Sequence, residues 1–111
     1  MKFDSMGEAE YAAKLDMLVK AGEVVDWEQP KPVVLVDGPK ARDRITMIPD
    51  FYVIPAVGNS FYVDYKGSRV TETPAFKLKV KLWRRHVGHE LRVVYADGTE
   101  KVVATGNECY A

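Results

Sequence analysis

Three residues near the middle of the chain have types and spacings suited to chemistry: Asp50, Asp64 and Lys66. Residues 60–66 alternate, with Phe61, Val63 and Tyr65 on one face of a strand and Tyr62, Asp64 and Lys66 on the other. If the turn before this strand is centred near position 57, residues paired across the hairpin have numbers summing to about 114. Asp50 then lies opposite Asp64 or Tyr65. Two carboxylates a few ångströms apart repel, and one keeps its proton unless a cation sits between them. Oxygen-only ligands suit Mg²⁺, with Mn²⁺ able to substitute. Lys66, on the same face, is placed to orient a water or to stabilise charge on a phosphate oxygen. The set fits metal-assisted hydrolysis of a phosphodiester. An Asp-x-Lys pattern also occurs on the wet face of any half-buried strand, so spacing alone leaves a plain solvated surface as the rival reading.

Positioning these residues requires elements on both sides of them. Ser5-Met6-Gly7-Glu8 has the spacing of a capping box and predicts a helix from Ser5. Tyr11, Leu15 and Leu18 recur at helical spacing, Ala12 and Val19 widen the stripe, and Gly22 is a stop signal. Residues 24–28 and 33–36 read as strands, followed by a turn at Asp37-Gly38-Pro39. A further strand is expected over about 44–54, with Pro49 marking an edge, a bulge or a local break. Residues 55–59 form the loop into the strand that carries Asp64. Thr73-Pro74 reads as an N-cap with Pro in the first helical position, starting a helix that reaches about Val87 and stops at Gly88. Residues 90–95 and 99–104 are strands joined through Ala96-Asp97-Gly98. Helix, strands, helix, strands is the order of a mixed α/β or α+β domain.

The composition sets outer bounds. A chain of 111 residues holds one domain, and 47% hydrophobic with 29% charged residues is ordinary for a folded protein. No apolar run approaches a membrane span and the first residues lack a signal-peptide core, so a cytoplasmic location is expected, with no membrane partner. Cys109 has no second cysteine to pair with, and no Cys/His cluster suggests zinc. Sixteen basic and sixteen acidic side chains cancel, which by itself does not favour a nucleic-acid partner. Their distribution does. Between Lys66 and Arg92 cations outnumber the two acids Glu72 and Glu90.

The second helix supplies the expected contact surface. Phe76, Val80, Trp83 and Val87 form a narrow apolar stripe for the core. Lys77, Lys81 and Arg84 form a neighbouring stripe with Arg85 at its edge, suited to successive phosphates of DNA; a solvated basic face is the rival. His86 and His89 flank the end of this helix, where a cationic His is favoured, and nothing makes them ligands.

Ile48-Pro49-Asp50 followed by Asp64-Tyr65-Lys66 resembles the Pro-Asp…(Asp/Glu)-x-Lys signature of the PD-(D/E)XK nuclease superfamily. Glu8, in its Ser-x-x-Glu context, stands where many members carry a further acid, with Glu10 as its rival. The element order is similar too: helix, strand hairpin bearing the acids, helix, further strand. Residues 3–27, 48–51 and 63–67, with Phe76, Lys77, Leu78 and Lys79, resemble short phage-encoded members related in kind to Holliday junction resolvases. The Gln-x-x-x-Tyr motif of the RecB-like branch is absent from the sequence, while Gln29 offers a further polar residue near the hairpin.

The resemblance implies an α/β fold with a restriction-endonuclease-like core, a mixed central sheet flanked by two helices. It implies a Mg²⁺-dependent DNA endonuclease in which Asp50, Asp64 and the Tyr65 carbonyl ligate metal, Glu8 completes the metal and catalytic set, and Lys66 acts on water or phosphate. Branched DNA, above all the four-way junction, is the substrate expected by analogy. A homodimer follows from the need to cut two strands, and the host cytoplasm is the location if the chain is phage-encoded. The alternatives are a nicking, repair or restriction-type endonuclease without junction specificity, a non-catalytic nucleic-acid-binding module, and a small protein that inhibits a host factor.

Overall fold

Ser5 caps the first helix in the computed structural model, its hydroxyl accepting from the Glu8 N–H at 3.1 Å. The structure describes residues 5–68 and 72–107; Cys109 and Phe3 lie outside them. Helix α1 (Met6–Lys20) buries Tyr11, Ala12 and Leu15, and the chain leaves it through Gly22 at φ +79°. Strands β1 (Val24–Glu28) and β2 (Val33–Val36) follow, then a short 3-10 turn (Ala41–Asp43) and strands β3 (Ile45–Met47), β4 (Phe51–Pro55) and β5 (Phe61–Gly67). Helix α2 (Pro74–His86) has Thr73 as N-cap, its hydroxyl accepting from the Phe76 N–H at 3.1 Å. Strands β6 (Glu90–Tyr95) and β7 (Glu100–Ala104) complete the order.

Five strands form one mixed sheet in the order β1-β4-β5-β6-β7. Neighbours are antiparallel except β5 and β6, which run parallel because α2 returns the chain between them. The fold is thus α/β, a mixed five-stranded sheet with two helices. Alternation along each strand divides the core in two. Phe51, Val53, Phe61, Val63 and Val94 pack with Tyr11, Ala12 and Leu15 of α1, whereas Leu91, Val93 and Tyr95 pack with Phe76, Val80 and Trp83 of α2. Trp83 is fully buried, as its place in the apolar stripe predicts.

One expected element divides. The strand predicted over about 44–54 breaks at Ile48-Pro49, so β3 and β4 belong to different sheets. Pro49 has no N–H to offer a ladder and is fully buried at the corner. β3 instead pairs with β2 in a separate two-stranded sheet, whose Leu35 and Met47 pack into the core beneath α2. This hairpin brings Met47 and Ile48 to the wall of the cleft described next.

Candidate active site

The β4–β5 register is Phe51↔Val63, Tyr52↔Tyr62 and Val53↔Phe61. Asp50 stands one residue before β4, still held by its N–H, which donates to the Val63 carbonyl at 2.9 Å. That register sets Asp50 across from Asp64, and the two side chains hydrogen-bond. Lys66, two residues further along β5, places its Nζ 3.2 Å from Asp64 Oδ2. The hairpin thus gathers two carboxylates and an ammonium, as alternation requires.

Asp64 is the one buried charged residue among those described, at 6% exposure. Burial raises its pKa, opposed by the Lys66 ammonium, while the charge of Glu8 raises it further. Asp50 is pushed up to about 7, first by burial and then by the Asp64 charge. The Tyr65 N–H, which donates to Asp50 Oδ2 at 2.7 Å, and Lys66 act against that rise. A hydrogen bond between two carboxyl groups needs a proton on one of them, which is the direction in which both are shifted. Lys66 also lies over the Phe76 ring, with Nζ 4.1 Å from its centroid. Packing against α2 therefore fixes the reach of this lysine.

Asp64 and Lys66 line a cleft of about 260 Å³, closed on one side by Met47 and Ile48 and on the other by Thr73, Ala75, Phe76 and Lys79 at the start of α2. Glu8 approaches from α1. Gly7 makes this approach possible: a Cβ there would sit 2.1 Å from the Tyr65 hydroxyl, so only glycine lets the first helical turn lie against β5. Glu8 acts on Asp64 through its charge. Glu10 points elsewhere, into a groove with Lys14 and Tyr65. Among the described residues no three acids, histidines or cysteines converge tightly enough to hold a metal ion by themselves.

The basic stripe on α2 lies apart from these acids. Lys77, Lys81 and Arg84 face a groove toward β7, with Glu72 and Lys101. Arg84 is tied into the fold, its Nε donating to the Val103 carbonyl at 2.7 Å. Arg85 is exposed. The cation that α2 does bring to the carboxylate cleft is Lys79, which the stripe reading passed over. Its signal was present: three residues after Phe76, it falls on the flank of the helix opposite Lys77. Gln29 lies beyond β1 in a cleft beside Tyr62.

The donor set fits a hard divalent cation. Two carboxylates that repel, one of them buried, carry a cost that a cation would remove, and the Tyr65 carbonyl and water would complete an oxygen shell. Comparisons with family models, with curated proteins and with solved structures gave no match to this chain.

Proposed function

We propose that this chain is a metal-dependent DNA endonuclease of the PD-(D/E)XK type. The observation that carries the reading is the contact between Asp50 and Asp64 beside the Lys66 ammonium, with Asp64 and Lys66 opening onto a cleft at the start of a helix. A sheet has little reason to press two carboxylates together unless a cation is to be shared. The strand order supports the same reading: a helix, a hairpin bearing the acids, a crossover helix and a parallel strand, in the order that the restriction-endonuclease-like core has.

Asp50, Asp64 and the Tyr65 carbonyl would hold Mg²⁺ or Mn²⁺, with Glu8 adding negative charge from the side of α1. A cation held there would supply Lewis acidity toward the scissile phosphate. Lys66 is the residue that handles the attacking water or a phosphate oxygen, exchanging its Asp64 contact for the substrate. Lys79 steadies the neighbouring phosphate. Lys77, Lys81 and Arg85 reach the DNA backbone on the other flank of α2, and Arg84 sets that flank against β7.

The substrate is DNA, and branched DNA in preference to linear. Two symmetric cuts at a junction require two sites and hence a homodimer. The test is cleavage of a labelled four-way junction beside its linear arms, with Mg²⁺ or Mn²⁺ and with EDTA. Paired cuts in the junction alone, abolished by EDTA, support the full reading. Equal cutting of the arms keeps the nuclease and removes the junction preference. Absence of cutting by the folded protein with either metal refutes the nuclease.

A further inference from the structure

The face of β4 and β5 that presents Asp50, Asp64 and Lys66 continues, away from the acids, into two tyrosines. Tyr52 and Tyr62 are direct cross-strand partners, with ring centroids 4.7 Å apart. Tyr62 meets Trp83 edge-on at 5.2 Å and His89 at 5.9 Å. The Trp83 indole N–H donates to the His89 carbonyl at 2.7 Å, which anchors the backbone that carries this imidazole. Tyr62 packs against the core beneath α2, whereas Tyr52 joins neither core. A half-buried aromatic that supports no core is available for stacking.

Two clefts adjoin this aromatic group, and His89 lines both. One, of about 390 Å³, is bounded by Tyr52, Asn59, Ser60, Thr105 and Asn107. The other, of about 710 Å³, lies along Tyr62 and the segment after β1. Gly106 builds the wall between β7 and β6: its φ is +84°, and a Cβ there would meet the backbone of His89 and Glu90 at 3.1 Å. That close approach brings Thr105 and Asn107 to the rim. The lining of the first cleft offers mostly neutral hydrogen-bonding groups, and its carboxylate, Glu90, is ion-paired with Arg92; Glu28 and Lys31 line the second cleft. Neutral amide and hydroxyl groups beside an aromatic ring suit a flat, uncharged heterocycle better than a phosphate.

We infer that Tyr52 and His89, which line the same cleft, form a docking site for one unpaired nucleobase of the substrate strand, with the Tyr62 ring backing Tyr52. This rests on the nuclease reading for its choice of ligand. Asp50 and Tyr52 are two residues apart in the chain, a span of about 7 Å in extended backbone, so Tyr52 lies within one nucleotide's reach of the carboxylates. A base turned out of its stack at a branch or bulge enters the cleft while its phosphate stays near the carboxylates. Preference for branched DNA then comes from the unpaired base itself.

The test uses the intact protein in EDTA, where binding is read without cleavage. Three labelled duplexes are compared: one with a single unpaired 2-aminopurine, one with an abasic residue at that position, and one fully paired. The unpaired base should bind about 10-fold tighter than either control, with its fluorescence quenched on stacking. Tyr52→Ala should erase that advantage and leave binding of the paired duplex unchanged, while Tyr52→Phe should keep it. Equal affinity for the base and the abasic site in the unaltered protein overturns the inference without need of any variant. Base-dependent binding supports the docking site even if no cleavage is found with metal, in which case the nuclease reading alone fails. Cleavage without base dependence removes the docking site and leaves the nuclease.

Discussion

Asp50→Asn should make the protein more stable at pH 8 in the absence of metal. Moving an aspartate from its ordinary 3.8 to about 7 corresponds to about 4 kcal/mol held against the anion. Asp50 is only half-buried, so solvent screens its repulsion, which leaves roughly 2 kcal/mol. Asparagine removes the charge but keeps an oxygen to accept from the Tyr65 N–H, the bond seen at 2.7 Å. Because Asp50 titrates higher in the folded chain than in the unfolded one, folding takes up a proton between about pH 4 and pH 7. Its contribution is full below about pH 4, declines across that window and is lost above about pH 7. At about 4 °C per kcal/mol for a domain of this length, the variant should melt about 8 °C higher at pH 8. The two proteins should melt together at pH 4. The assay is a series of thermal melts in EDTA across that range, in which other acids titrate alike in both proteins and cancel. Equal melting at pH 8, or a less stable variant, would refute the claim that this carboxylate pair is held at a cost.

Other predictions test the supporting parts. Gly7→Ala should cost about 1–3 kcal/mol, despite alanine's better helix propensity, because the new methyl overlaps the Tyr65 hydroxyl; a urea titration measures it. Lys66→Met should lower cleavage at least 100-fold in a single-turnover assay run below its melting temperature, and should also lower that melting temperature at pH 8 in EDTA, because the buried Asp64 loses its cation. Lys79→Ala should weaken DNA binding a few-fold and shallow its salt dependence by about one ion, as loss of one phosphate contact does. Arg84→Met should destabilise the fold by about 1 kcal/mol through its lost bond to the Val103 carbonyl, with little change in salt dependence.

The hairpin was the most legible part of the sequence. A loop centred near 57 fixes the β4–β5 register, and alternation then aligns Asp64 with Lys66, because side-chain period and pairing sum leave one solution where a face is buried. Ser5 and Thr73 were legible as caps because side-chain capping depends on local spacing. The break at Ile48-Pro49 was harder to place. Proline signals an interruption, but whether the chain bends within a sheet or leaves it depends on what packs beneath Leu35 and Met47. The role of Gly7 depends on Tyr65, nearly sixty residues away, and a local reading cannot see it. The basic flank of α2 was legible as a stripe, yet which flank meets the acids depends on how the helix rolls on the sheet. The buried stripe of Phe76, Val80 and Trp83 decides that roll, and it brings Lys79 rather than Lys77 to the cleft.

The central claim is that Asp50 and Asp64 are paired in order to share a divalent cation. Calorimetric titration of the metal-free protein with Mn²⁺ at pH 8 tests it most directly, with Asp50→Asn and Asp64→Asn alongside. The unaltered protein should bind Mn²⁺ saturably, with uptake that weakens as the pH falls below about 7 and is lost in both variants. Binding that persists in Asp64→Asn, or no binding by the unaltered folded protein at pH 8, would contradict it.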